Sequence, residues 1–451
     1  MSRTCLTIIL AAGEGKRMAS AMPKVLHPVA GLSMVGHVIA AAKLAGSNDV
    51  AVVVGNQAQR VSQHVLALDK SLKVYEQTER KGTAHAVLAA SEAIQQGYDD
   101  IIILFGDVPL LKAETLATAR QGLANGGDII VCGFETATPH GYGRMIMDGN
   151  SLVAIREHKD ASEEERQITF CNSGIMAFRG DRLLDLLTAV KNDNEQGEYY
   201  LPDTVQIGVA NGLNTMAVEV PENDTLGVND RVQLARVSEL WQARKAEELM
   251  RAGVTISAPS TVLFQHDTVV EPDAVLEPNI VFDAGVIVKS GATIRSFSHL
   301  EGTIVSQDAV IGPFARLRPG TVIEKSAKVG NFVETKNTVL GEGAKINHLS
   351  YIGDAKVGTK ANIGAGTVTC NYDGVNKHAT TIGAGAFIGT NSSLVAPIEI
   401  GRDAMTAAGS VVTKDVPDEA LAVERSEQKT IKGLAAKIRK RNQAIKNAKK
   451  A

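Results

Sequence analysis

One aliphatic residue in every six is the feature that most restricts what this chain can become. Val270, Leu276, Phe282, Val288, Ile294 and Leu300 fall at steps of six. The phase resets to Ile311, Leu317, Ile323 and Val329, then to Leu340, Ile346 and Ile352, and finally to Ile382, Ile388, Leu394 and Ile400. A helix repeats near 3.6 residues and a strand every 2, so neither alone produces this step. A parallel β-helix does: each hexapeptide supplies one short strand and one turn, and one aliphatic points into the prism. Glycine follows many of these aliphatics, and sixteen of the 42 glycines lie within 301–425. Turns that side chains resist are where glycine belongs. Aromatics are only 4%, which suits a prism filled with small aliphatics. The repeat breaks between Ile363 and Ile382, and the polar insertion 369–378 is predicted to be a loop on the binding face. Exposed strand edges on the coils favour self-association.

The whole chain has 451 residues, too many for one core. Residues 1–228 alternate helix-like stretches with short aliphatic runs at 7–10, 51–54, 101–105 and 129–131. Such runs predict an α/β, doubly wound, Rossmann-like domain whose parallel sheet is covered on both faces. Its ligands should sit outside the carboxyl ends of the strands. Residues 229–251 lack Pro and Gly, open on Asn229-Asp230 and stop before Gly253, predicting a helical linker. Residues 252–451 are then expected to form a left-handed parallel β-helix that ends in a basic tail.

Hydrophobic residues make up 44% and charged residues 22%, the balance of a soluble globular protein. No apolar stretch approaches the roughly 18 residues of a membrane span. The apolar run at 6–12 leads straight into Gly13-Glu14-Gly15-Lys16-Arg17, unlike a signal peptide. Four scattered cysteines offer neither a disulfide framework nor a zinc knuckle, so a reducing cytoplasm is expected. From Ser426 onward nine Lys/Arg face one acid, a net +8, leaving −11 for the body of a chain whose net charge is −3. That acidic body argues against wrapping nucleic acid. The basic tail reads as a solvated, frayed terminus, with a nucleic-acid arm or a helper for an anionic ligand as the other readings.

Leu10-Ala11-Ala12-Gly13-Glu14-Gly15-Lys16-Arg17-Met18 follows the first predicted strand, with Pro23-Lys24 just beyond. Backbone N–H groups at such a turn form an anion site. The loop is neither a P-loop nor a dinucleotide fingerprint, whose third glycine is here Met18. By itself Gly13-x-Gly15 is equally a structural turn; Arg17 and Lys24 turn it towards phosphate.

Gly-x-Gly-x-Arg-Met with Pro-Lys resembles the sugar-1-phosphate nucleotidyltransferases. Further matching motifs are Gln77 with Gly82-Thr83-Ala84-His85, Phe105-Gly106-Asp107, Gly141-Tyr142-Gly143-Arg144, Glu157-His158-Lys159-Asp160, Asn172-Ser173-Gly174 and Gly227-Val228-Asn229. Together with the β-helix they resemble the bacterial bifunctional family joining N-acetylglucosamine-1-phosphate uridylyltransferase to glucosamine-1-phosphate N-acetyltransferase. Lys16 departs from the threonine often found in that family's loop.

The resemblance implies attack by a sugar phosphate oxygen on the α-phosphate of UTP, with Mg²⁺, expelling pyrophosphate. Leu10, Ala11, Ala12, Gly13 and Lys24 would then hold UTP with Phe105, Gly106 and Asp107. Gln77, Gly82 and Thr83 would contact uracil. Arg17 would fork onto the leaving phosphates and Lys24 place a point charge at the α-phosphate. Gly143, Glu157, Asn172 and Asn229 would bind the UDP-sugar. Asp107 and Asn229 offer hard oxygens to the metal.

Acetyl transfer from acetyl-CoA to an amine requires that amine neutral, hence a base, and histidine is the natural one. His348 is the candidate, in phase with a coil; His299 and His378 are rivals. By resemblance Arg318 and Lys336 bind the phosphate of glucosamine-1-phosphate, with Tyr351 and Asn362 orienting its sugar. Asn371 and Tyr372 orient sugar and thioester at the acetyl-CoA site, where Ala365, Thr390, Ala408 and Arg425 complete the set. The family has serine where Thr390 stands. A homotrimer through the β-helix, with no nucleic-acid or membrane partner, completes the expectation. Two other readings stay open on the residues: a single nucleotidyltransferase with a regulatory or trimerising β-helix, and a non-catalytic scaffold.

Overall fold

Strand β1 (Cys5–Ala11) is buried at every position, because both of its faces meet a core. Cys5, Ile9 and Ala11 point into one apolar cluster and Leu6, Ile8 and Leu10 into another. The first cluster is closed by helices Met34–Leu44, Ala58–Leu68 and Ala113–Ala124. The second is closed by Thr83–Leu88, Leu183–Ala189 and Asp203–Ala210. A strand covered on both sides has no polar face to alternate, hence the unbroken aliphatic runs.

This computed structural model describes residues 3–449; Lys450 of the basic tail lies outside them. Contacts group the chain into two units, 1–248 with 264–266 and 249–263 with 267–451.

In the first unit the other sheet strands are β2 (Asp49–Val54), β3 (Lys73–Glu76), β4 (Asp100–Phe105), β5 (Ile129–Glu135), β6 (Arg144–Asp148), β7 (Ser151–Arg156), β8 (Phe170–Arg179) and β9 (Thr215–Glu219). Their order is β3-β2-β1-β4-β8-β5-β9-β7-β6. The sheet is mixed rather than wholly parallel as expected. Strand β8 runs antiparallel to both β4 and β5, and β6 and β7 form an antiparallel pair. Burial on both faces hides strand direction, so the aliphatic runs cannot report it. The helix Arg231–Arg251 forms over the span expected for a linker. It does not stand clear as an arm: Val237 is buried among Met18, Val29, Met34, Leu110, Leu226 and Val228.

The second unit is a left-handed parallel β-helix. Every aliphatic of the six-residue series is buried, from Val270 to Ile400. Successive coils pair Val275 with Thr293, Thr293 with Val310, Val310 with Lys328, Lys328 with Lys345 and Lys345 with Asn362. Those pairings are 17 or 18 residues apart, and the phase resets at Ile311 and Leu340 fall in coils one residue short. The coil from Asn362 to Phe387 is 25 residues long and carries the insertion. A second series escaped the sequence reading. Ala274, Ala292, Ala309, Ala327, Ala344, Ala361, Ala386 and Ala404 are all wholly buried, each two residues before a coil's inward side chain. The tail is a helix, Leu434–Ala448, with every residue exposed, solvated as expected but not frayed.

Candidate active sites

The first site is built at the carboxyl ends of β1 and β4. The Gly106 N–H donates to the Leu10 carbonyl at 2.9 Å, and the Val228 N–H donates to the Asp107 carbonyl at 3.0 Å. These bonds bring three distant segments together. A cleft of ≈ 380 Å³ opens there, lined by Leu10, Ala11, Ala12, Gly13, Lys24, Gln77, Gly82, Thr83, Phe105, Asp107 and Asn229. Gly106 is buried beneath it, and Arg17 stands exposed on the turn Lys16–Met18 without lining the cleft. Arg80 and Glu198 also line it; neither sits in a motif, so their residue types gave no signal. Arg80 pairs with Glu14 of the Gly-rich turn.

Gly82 has a φ of +108°, and a Cβ there would lie 2.4 Å from the Tyr199 carbonyl oxygen. Only glycine lets the two segments close, and the closure is tied by Leu201 N–H donating to Thr83 Oγ1 at 2.8 Å. Gln77 is held from behind, its Nε2 donating to the Gly82 carbonyl at 3.2 Å.

Lys24 Nζ donates to Asp107 Oδ2 and, at 3.3 Å, to Asn229 Oδ1. One carboxylate oxygen and one amide oxygen therefore converge on the position that the Lys24 ammonium takes in this structure. The donor set fits Mg²⁺, which takes hard oxygens and retains waters. Among the described residues no group of three or more His, Cys, Asp or Glu gathers as a metal site. The remaining ligands of such an ion would be water and phosphate.

A second cleft, ≈ 330 Å³, shares Thr83, Phe105 and Glu198 with the first and adds Gly143, Glu157, Asn172, Gln196 and Tyr200. Asn172 N–H donates to the Gly143 carbonyl at 2.9 Å, placing those two residues across from Glu157. Burial, with Asp160 and Asp203 nearby, holds the Glu157 carboxyl above the usual carboxylate range.

On the β-helix, His348, Ala365, Thr390 and Ala408 stack in successive coils. The Gly366 N–H donates to the His348 carbonyl, Asn391 N–H to Ala365 and Gly409 N–H to Thr390. Arg425 extends the row, its Nη1 donating to the Ala408 carbonyl at 2.9 Å. The rise per coil is that of neighbouring strands, about 4.8 Å. His348 is exposed, and its Nδ1 lies 2.8 Å from Asn331 Oδ1. An amide oxygen only accepts, so the proton sits on Nδ1 and the Nε2 lone pair faces outward. His299 and His378 instead have Nε2 engaged, with Asp283 at 2.6 Å and Asp373 at 2.7 Å.

The adjoining face gathers other expected residues. Lys336 pairs in register with Gly353. A Cβ on Gly353 would lie 2.5 Å from the Tyr351 hydroxyl and 2.9 Å from Asn371 Nδ2. Lys336, Tyr351 and Asn371 therefore meet over one bare backbone position. Arg318 Nη1 donates to Glu334 Oε1 at 2.9 Å, a contact the residue pattern did not announce. Asn362 pairs in register with Lys345 of the preceding coil and lies ahead of Ala365 in its own coil. Tyr372 is outlying: it belongs to the insertion, is exposed, and has Lys377 Nζ 4.2 Å over its ring.

Residues 7–191 match the MobA-like NTP transferase domain, and residues 379–414 match the bacterial transferase hexapeptide (six repeats). The Bifunctional protein GlmU of Brucella anthropi is 56% identical, covering 100% of this chain and 99% of its own. The proteins of the same description from Agrobacterium fabrum and Bartonella quintana are each 52% identical, covering 100% and 97% of this chain and 99% and 98% of theirs. Among the described residues no helix is long and apolar enough to cross a membrane.

Proposed function

The chain belongs to the bifunctional GlmU family, and from that premise we propose that it makes UDP-N-acetylglucosamine in two reactions carried by its two units. Residues 252–451 transfer acetyl from acetyl-CoA to glucosamine-1-phosphate. Residues 1–228 then transfer uridylyl from UTP to N-acetylglucosamine-1-phosphate and release pyrophosphate, with 229–251 as the link. The single observation that carries this reading is that the chain holds two separate constellations, one built for phosphate and one for an amine.

In the first reaction His348 Nε2 takes the proton of the attacking ammonium, because its Nδ1–H is committed to Asn331. The neutral amine attacks the thioester carbonyl, and coenzyme A leaves as the thiol. Arg318 and Lys336 hold the sugar phosphate, while Tyr351, Asn362, Asn371 and Tyr372 orient the reacting groups. The row Ala365, Thr390, Ala408 and Arg425 offers a backbone-lined track for coenzyme A.

In the second reaction Gln77, Gly82 and Thr83 hold uracil, and Leu10–Gly13 approach the nucleotide through backbone. Gly143, Glu157 and Asn172 orient the sugar so that its phosphate oxygen lies in line with the α-phosphate. Asp107 and Asn229 would hold Mg²⁺, which supplies charge neutralisation at the phosphates. Lys24 adds charge at the α-phosphate and Arg17 at the departing pyrophosphate. Phosphoryl chemistry asks for positioning and charge more than covalent help.

The β-helix exposes Phe297, Phe314 and Phe332, stacked at 4.9 and 5.2 Å in successive coils, with exposed Leu349 continuing the column. This apolar column supports association through the β-helix, which we read as a homotrimer. The product suits cytoplasmic supply of peptidoglycan and lipopolysaccharide precursors. The test is one assay with glucosamine-1-phosphate, acetyl-CoA, UTP and Mg²⁺. It should yield UDP-N-acetylglucosamine, free coenzyme A and pyrophosphate; uridylyl transfer without acetyl transfer would favour a passive β-helix.

A further inference from the structure

Among the described residues Arg144 is the largest wholly buried side chain, at 1% exposure. Among the described residues no carboxylate pairs with it. Its Nη1 donates to the Tyr142 carbonyl, and its Nη2 reaches the Arg166 carbonyl at 3.3 Å and His158 Nδ1 at 3.4 Å. Nε has no partner at all. A buried guanidinium without a counter-ion is costly, so its position calls for a compensating role.

The two segments it joins are the two sides of the second cleft. Tyr142 precedes Gly143, and His158 follows Glu157. The gap is narrow: a Cβ on Gly143 would lie 3.3 Å from Glu157 Oε1. We propose that Arg144 is a positioning residue for the sugar phosphate: beyond the Arg144–Arg156 strand pairing its rigid fork ties Tyr142 to His158 and so holds the Gly143 backbone against the Glu157 carboxylate. This rests on assigning the sugar to that cleft. Lysine cannot make the same span, because it offers a point charge and no fork.

The clamp is also proton-sensitive. His158 Nδ1 can accept from Arg144 only while unprotonated. Burial holds the His158 pKa below the ordinary value, helped by His140 at a ring separation of 4.4 Å and by the facing charges of Arg144 and Arg166. Acidification puts a proton on Nδ1 and sets two donors against each other.

The experiment compares Arg144→Met, Arg144→Lys and Glu157→Gln in the full chain. Both Arg144 variants should raise KM for N-acetylglucosamine-1-phosphate by about tenfold or more, leaving KM for UTP and acetyl transfer within about twofold. Equal loss of both half-reactions, or a fall in kcat with unchanged sugar KM, overturns the proposal. If Glu157→Gln raises the sugar KM and Arg144→Met does not, the clamp fails while the sugar assignment stands. If neither does, the assignment fails. Should Arg144→Met not fold, the decisive measurement is sugar KM against pH in the wild type and His158→Phe. The substrate phosphate and Glu157 titrate in both, so the difference is read. An acid limb steeper in the wild type supports the clamp; identical profiles overturn it.

Discussion

The base proposed for the β-helix site is singled out by what its other nitrogen touches. His348, His299 and His378 are equal candidates by residue type, and only His348 has Nε2 clear of a carboxylate. That difference lies in side chains from other coils, so sequence spacing could not show it. Removing the acceptor, Asn331→Ala, frees the tautomer and should cut acetyl-transfer kcat by about tenfold. His348→Ala should cost about 10²–10⁴, the usual worth of a positioned base. A ratio of the two near one would mean that Asn331 does more than orient. At the other site Glu157 carries a stability cost. Folding raises its pKa, so its contribution is fully present at pH below the ordinary carboxylate range and is lost as pH rises through the raised value. At neutral pH the ionised group therefore destabilises. Glu157→Gln should raise the melting transition of the first unit at pH 8 and lose that advantage near pH 4. Calorimetry at the two pH values checks the sign.

Elements differ in how openly the sequence declares them. The β-helix was legible because each coil repeats one demand, an inward aliphatic every six residues, and even its short coils appear as phase resets. Its alanine series was equally present and went unread, because alanine is common everywhere. Strand direction in the first unit was not legible, since β8 is buried on both faces whichever way it runs. Ile346 is wholly buried within a coil, so Ile346→Ala should lower the stability of the second unit by about 2–5 kcal/mol. The first unit's transition should stay where it is. The tail helix is the element whose role the fold leaves least constrained: exposed along its length and strongly basic. Deleting 426–451 should raise KM for acetyl-CoA several-fold if its cations assist the anionic coenzyme, with a salt dependence that the shortened chain loses. An unchanged KM at low salt assigns it to solvation alone.

For the whole molecule, the net charge of −3 hid an acidic body and a basic tail, while the length correctly called for more than one core. The Gly-rich turn, Lys24, Asp107 and Asn229 stand in separate motifs of the sequence and meet within one cleft. Arg80, Glu198 and the partners of Arg144 needed the fold, because they reach the site from segments with no pattern of their own. The central claim is that two chemistries reside in two separate constellations of one chain. The most direct measurement assays both half-reactions on Asp107→Ala and on His348→Ala. Asp107→Ala should abolish uridylyl transfer and keep acetyl transfer near wild type; His348→Ala should do the reverse. Loss of both activities in either variant would contradict the account.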